Sequence, residues 1–420
     1  GGRWLRAARG AADEVECWWR REGVRLRRVK NCREMFERNM HEAKLGAAGL
    51  GPEWDAQEFE TREEARWVAG ETVVFAFGQT ELNIAHFAAA LLFLHHLRLH
   101  PSSYTLPNTT DPRVLILAPL ALTDLFATPA SWHAGMLRLV AGSAARPDPA
   151  PVLAENVLRE LALGDGRVVV GQVGEPPALE APGKVCFRRA VYPAFLKARY
   201  FVGDGEVAAE QEETRQVVGM VPGDALEWRW KVKNVVMDGA DGGIERRVVY
   251  IARRKRREFE QESEAKLRQL LSEFAAKHHM QLATVVFNSS LPFRAQVAEL
   301  WTAGVALGIH GANLANAVFM PPGAALVEIM PFRFNHDMYT AGGGAGLRYA
   351  RWNVSEGEDF PGRIKGESVE ECMRASKKCK KFYRSDHRKV RLGARDLEGV
   401  ERLLEESVAV VFSGTSAAGA

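Results

Sequence analysis

The spacing of apolar residues changes character along the chain. Residues 1–45 mix Arg, Glu and Trp with weak helical periodicity, so 1–70 is expected to form a helical arm or stem. From residue 71 short apolar runs take over. ETVVFAF at 71–77 predicts a strand, the largely apolar 82–99 a helix, RVLILA at 113–118 a strand, 131–141 a helix and RVVVGQ at 167–172 a strand. Segment 173–243 holds Gly and Pro breaks, an acidic run from Glu206 to Glu213 and alternating WRWKVKNVV at 228–236. It reads as a loop-rich connector ending in a domain boundary. A second series follows: strand 246–251, helix 258–277, strand 281–287, helix 293–303, strand 304–309, a short helix near 312–319 and strand 324–329. Residues 395–411 form a last helix expected to pack back across the molecule.

Strands alternating with helices imply parallel βαβ units. Two such series predict an α/β fold of two doubly wound, Rossmann-like domains facing across a cleft, at 71–243 and 244–394, with a helix and tail over 395–420. In such sheets ligands bind beyond the carboxyl ends of the strands. The apolar stretch 304–332 is interrupted by His310, Asn313, Asn316, Glu328 and Pro321-Pro322-Gly323, which argues against a bilayer helix.

Composition narrows the class. With 46% hydrophobic and 26% charged residues among 420, the chain is neither disordered nor a disulfide mini-scaffold. Its 56 basic and 53 acidic residues leave a net charge of +3, which gives no strong attraction to nucleic acid. The five cysteines include no Cys-x-x-Cys pair. Cys372 and Cys379, seven apart, could close a loop in an oxidising compartment or remain free thiols in a reducing one.

Four features could carry chemistry. Gly308-Ile309-His310-Gly311-Ala312-Asn313-Leu314 stands where a strand ends and a helix begins. It suits either a pyrophosphate held by small residues and a helix N-terminus, or a tight turn around a buried His. Glu328, at the end of an apolar strand, needs a partner: a ribose diol or a structural Arg. The run Arg253–Arg257 reads as a phosphate grip, a nucleic-acid or nuclear-import patch, or a solvated face. His86, near the start of helix 82–99, could take a proton from an acceptor hydroxyl or sit hydrogen-bonded in the core. No Gly-x-Ser-x-Gly, Walker, His-Glu-x-x-His or Gly-x-Gly-x-x-Gly motif is found, and no two aspartates stand two apart.

The run HGANLANAVFMPPGAALVEIMPF (310–332) resembles the signature of glycosyltransferase family 61. VVYIARR (248–254), LPFRAQVAELWTAGVALGI (291–309), CFRRAV (186–191), NIAHF (83–87) and CMRASKKCKKFYR (372–384) extend the similarity over about 71–411. The resemblance implies a GT-B fold and inverting transfer of xylose, arabinose or N-acetylglucosamine from a UDP-sugar donor to a glycan or glycoprotein acceptor. It also implies a Golgi or ER luminal location as a type II membrane protein, with an anchor not seen in this sequence, while one short basic run in a nearly neutral chain leads us to expect no nucleic-acid partner. A catalytically inactive carbohydrate-binding relative is the alternative. Carried over, His310, Gly311, Ala312, Asn313 and Leu314 would bind the donor diphosphate, Arg253 and Arg254 would neutralise it, and Glu328 would hold the ribose. His310 and His86 would be the catalytic residues, His86 near the acceptor. With fixed cations facing the leaving group, and no Asp-x-Asp pair, no obligatory metal is expected. A luminal chain would also bridge Cys372 to Cys379.

Overall fold

The computed structural model describes residues 2–6, 16–21, 24–29, 66–77, 82–99, 113–141, 152–153, 168–173, 185–193, 222–335, 339, 346–364 and 366–413. The chain divides into two compact units, Gly1–Ala198 and Arg199–Ala420.

The first unit contains β1 (Gly2–Arg6), β2 (Glu16–Arg21), β3 (Val24–Val29), β4 (Arg66–Ala76), α1 (Ile84–Leu99), β5 (Arg113–Pro119), α2 (Leu120–Ala127), α3 (Trp132–Ala141), β6 (Val152–Leu153), β7 (Val168–Val173) and β8 (Val185–Pro193). Its sheet runs β3-β2-β1-β8-β4-β5-β7-β6. The five strands from β8 to β6 are parallel, and β1 to β3 add an antiparallel extension. The helical arm expected over 1–70 is therefore corrected: its described residues are strands. Segments such as ECWWRR and VRLRRV combine aromatic and β-branched residues, which fit a pleated surface better than a helix. The side chain of Asn83 accepts from the Ala85 N–H at 2.9 Å and caps α1. Behind it Phe77 and Phe87 meet edge-to-face at 5.4 Å in a core shared with Leu91, Ile116 and Met136.

The second unit contains α4 (Pro222–Lys231), a π-helical turn (Val232–Val236), β9 (Glu245–Ile251), α5 (Gln261–Lys277), β10 (Gln281–Val285), α6 (Phe293–Leu300) and β11 (Ala303–Ile309). A 3-10 helix (Ala312–Phe319), β12 (Ala325–Met330), β13 (Arg348–Asn353), α7 (Val369–Ala375), α8 (Lys377–Tyr383) and α9 (Ala394–Phe412) complete it. The sheet order is β10-β9-β11-β12-β13, all parallel. Every residue of β11 and β12 is buried, as expected for central strands covered on both faces. Leu267, Leu271 and Phe274 of α5 and Val400, Leu404 and Val408 of α9 cover one face, against Val248, Tyr250, Leu307 and Val327. The apolar positions of α9 recur every four residues and form one stripe, so the helix lies on this unit's own sheet.

The boundary expected at 243/244 is moved to 198/199. WRWKVKNVV is helical, not an alternating connector, because its tryptophan and arginine anchor it to this unit. Trp228 Nε1 donates to Val318 O at 3.2 Å, and Arg229 Nη1 to Phe319 O at 2.7 Å. The helix expected to open at 258 begins at Gln261, because 258–260 pair with Val390 instead. Among the described residues, no helix is long and apolar enough to cross a membrane.

Candidate active site

The central strands of the second unit end together: Gly308 of β11 stands opposite Ile251 of β9 and Glu328 of β12. Sheet pairing continues one residue further, His310 N–H donating to Ile329 O at 2.8 Å. The chain then turns sharply at Gly311, whose φ of 155° and ψ of 175° are open essentially only to glycine. A Cβ at Gly311 would overlap the Arg253 guanidinium, coming within 2.6 Å of its Cζ. The guanidinium of Arg253 therefore lies directly against this turn.

Two arginines converge there. Arg253 Nη1 and Arg257 Nη1 both donate to His310 O, at 3.4 and 3.2 Å. Burial lowers the pKa of Arg253 below the usual guanidinium value. Burial, and then the neighbouring charge of Arg253, push Arg257 down to about 10, while Asp386 acts in the opposite direction. Both arginines stay charged at neutral pH. Tyr339 is fully buried and donates to Gly311 O at 3.0 Å. Burial raises its phenol pKa, so it remains a donor.

Beneath the turn lies a buried polar chain. His310 Nδ1 is 2.7 Å from Glu328 Oε1, and Tyr349 Oη donates to Glu328 Oε2. The His310 side chain is only 5% exposed and that of Glu328 0%. The imidazole packs against Phe334, with ring centroids 5.2 Å apart. Glu328, expected to hold a ribose, thus has both carboxylate oxygens engaged inside the protein. His310, expected to bind the donor diphosphate and act in catalysis, has its side chain covered.

The remaining expected residues are placed as follows. Arg254 is exposed and turns away from the loop, bonding Glu264 at 3.1 and 3.2 Å. Ala312 and Asn313 are half-buried and Leu314 is buried, and Asn313 Nδ2 donates to Phe287 O at 3.1 Å. His86 belongs to the other unit, exposed in the first turn of α1. Beyond the carboxyl ends of β12 and β13 opens a cleft of about 480 Å³, its walls including Phe334, Arg351, Trp352, Asn353 and Arg395. Among the described residues, no group of three or more His, Cys, Asp or Glu is placed to hold a metal.

The family model described as Glycosyltransferase 61 matches residues 86–327, more than half of the chain. The chain belongs to glycosyltransferase family 61. This family 61 chain is 34% identical over 97 residues to Protein O-linked-mannose beta-1,4-N-acetylglucosaminyltransferase 2 of Tetraodon nigroviridis, covering 22% of this chain and 17% of that protein. With the Mus musculus protein of the same name it shares 36% over 72 residues, 17% of this chain and 12% of that one. It thus spans less than a fifth of the length of these curated relatives. Among solved structures, the glycosyl transferase family 9 from Veillonella parvula DSM 2008 aligns over 84% of this chain and 99% of its own, at 9% identity and a TM-score of 0.35.

Three residues of this candidate site carry no sequence signal, Tyr339, Tyr349 and Asp386, and a fourth, Arg257, is signalled only as part of the basic run. Arg257 reaches the turn because Lys255 and Arg257 adopt positive φ, of 78° and 53°, and curl the basic run back on itself. Tyr349 is brought in by the edge strand of the sheet, and Asp386 by a bridged helical pair. Cys372 and Cys379 form that bridge, with Cα atoms 5.9 Å apart.

Proposed function

We propose that this chain is an inverting glycosyltransferase that moves a sugar from a UDP-sugar to a hydroxyl of a glycan or glycoprotein. One observation carries the reading: Arg253 and Arg257 converge on the His310–Gly311 turn at the carboxyl ends of parallel strands. Two fixed guanidiniums beside a helix N-terminus suit a diphosphate, whose charge grows as it leaves. In the transfer, the acceptor oxygen bonds to the anomeric carbon as the bond from that carbon to the phosphate oxygen breaks. UDP departs with the electron pair, and the acceptor proton passes to a base, for which His86 is our assignment. Glu328 and Tyr349 hold His310, which shapes the turn. The adjoining cleft of about 480 Å³ offers room for the rest of the donor.

The GT-B arrangement, with the two units facing across a cleft, belongs to the same proposal and rests on family membership. So does a location in the Golgi or ER lumen, which the Cys372–Cys379 bridge supports. UDP-N-acetylglucosamine is the first donor to try, because the matched relatives are named for N-acetylglucosamine transfer. The test incubates the full chain with UDP-sugars and glycan acceptors, with and without EDTA, and measures released UDP. Acceptor-dependent release that survives EDTA is expected, since the arginines supply the leaving-group charge. UDP binding without turnover of any donor would identify a carbohydrate-binding protein instead.

A further inference from the structure

Arg257 is held from behind by a segment far from it in sequence. Its backbone N–H donates to Ser385 O at 3.2 Å, and both residues adopt positive φ, 53° and 54°. Such conformations persist in non-glycine residues only where the surroundings enforce them. The enforcement is visible: Glu260 N–H donates to Val390 O at 2.9 Å and Val390 N–H to Glu258 O at 2.8 Å, zipping the two segments together. Asp386, 2% exposed, lies between two guanidiniums. It accepts from Arg384 Nε at 2.8 and 2.9 Å and stands 3.6 Å from Arg257 Nε.

Asp386 itself is presented by a stapled support. The Cys372–Cys379 bridge ties α7 to α8, and its buried sulfurs pack with Met330, Phe334 and Tyr383. Tyr383, which closes α8, donates to Asp359 Oδ1 at 2.8 Å and accepts from Phe360 N–H at 3.2 Å. Arg384 to Asp386 leave this anchored end directly. Arg257 Nε is buried and makes no hydrogen bond, so ion pairing and backbone contacts set its direction. Without the Asp386 carboxylate, three guanidiniums would face one another in a half-buried space.

We infer that Asp386, carried by the bridged α7–α8 pair, is a positioning residue that aims Arg257 at the donor diphosphate. The inference rests on the donor-site reading above. Asp386 meets no ligand itself and acts only through Arg257.

Calorimetric titration of UDP into the full chain tests this, with melting temperature followed alongside. Asp386→Asn is expected to weaken UDP binding about tenfold, while Asp386→Glu, which keeps the charge, recovers most of that loss. In a Arg257→Ala background Asp386→Asn should weaken UDP no further, whereas a merely structural role would subtract in both backgrounds. Cys372→Ser/Cys379→Ser keeps every charge and loosens only the support; it should also weaken UDP, and not additively with Asp386→Asn. If Asp386→Asn melts too readily to titrate, unchanged UDP affinity in the double-serine variant overturns the inference. Wild-type binding with equal binding by a folded Asp386→Asn overturns it alone. A wild-type chain that binds no UDP overturns the donor-site reading with it.

Discussion

His310 Nδ1 and Glu328 Oε1 lie 2.7 Å apart inside the second unit's sheet. With Tyr349, near the start of β13, on the other carboxylate oxygen, Glu328 ties its own strand β12 to the end of β11 and to β13. A carboxylate this buried is tolerated only when its lone pairs are met, so the pair fixes where β11 stops and the turn at Gly311 begins.

Removing one member should therefore act on stability. Glu328→Ala removes the carboxylate that meets both a buried imidazole and a phenol, and is expected to cost about 3 kcal/mol. Tyr349→Phe removes one hydrogen bond from a carboxylate that keeps another, and should cost about 1 kcal/mol. Chemical denaturation of both variants measures the difference. A Glu328→Ala chain of unchanged stability that has lost only donor affinity would return Glu328 to the ribose role.

Gly311→Ala should damage both the turn and the arginine beside it. The backbone strain alone is expected to cost about 1–3 kcal/mol, because alanine is excluded from this φ,ψ region. The new methyl group must also displace the Arg253 guanidinium. The expected result is a lower melting temperature together with weaker UDP binding. A variant that loses stability but binds UDP like the wild type would show that Arg253 does not touch the phosphates.

The central strands were legible because they are apolar on both faces: VVYI, GVALGI and ALVEI could bury nowhere else. Edge elements were not. RYARWN, the edge strand β13, is half-buried and mostly polar, and α7 and α8 are seven residues each with no apolar stripe. The site was legible in part for a related reason. An isolated Glu in an apolar strand announces that it needs a partner, but only the register of Gly308 against Glu328 shows that His310 is near enough to serve. Arg257 was hidden as one of five consecutive basic residues, since two positive-φ residues decide which of them returns to the turn. The antiparallel β1–β3 lie in a segment whose charge pattern resembles a solvated helix, and pairing rather than periodicity made them strands.

Arg229 provides a stability test away from the site. Its guanidinium donates to Phe319 O and Trp301 O, each at 2.7 Å, and to Gly242 O, and it stacks over the Trp301 ring 3.2 Å from the centroid. Burial pushes its pKa down to about 9, still charged at neutral pH. Arg229→Ala takes a donor from three carbonyls and leaves α4 held by Trp228 alone of this pair, for an expected loss of about 3 kcal/mol. Arg229→Lys should recover less than half, because an ammonium lacks the planar fork that meets all three. Urea unfolding separates the variants, and equal stability of Lys and wild type would refute the fork argument.

Adjacent arginines give the sharpest test of the donor site. Arg253 lies against Gly311 and is held at the His310 carbonyl, at the carboxyl end of β9. Arg254, one residue on, is exposed and paired with Glu264. Their charges are equal and their positions nearly so, so a general electrostatic attraction would weaken similarly when either is lost. A direct phosphate contact would not. Arg253→Ala is expected to weaken UDP binding about 10- to 100-fold, the scale of losing a hydrogen bond between charged groups. Arg254→Ala removes an exposed ion pair worth about 0.2–1 kcal/mol of stability and should leave UDP affinity within about twofold. Titration of both proteins with UDP at a fixed ionic strength decides the matter. Equal losses would mean that only the field of the basic run is felt, and a larger loss for Arg254 would move the phosphate grip to the face of α5.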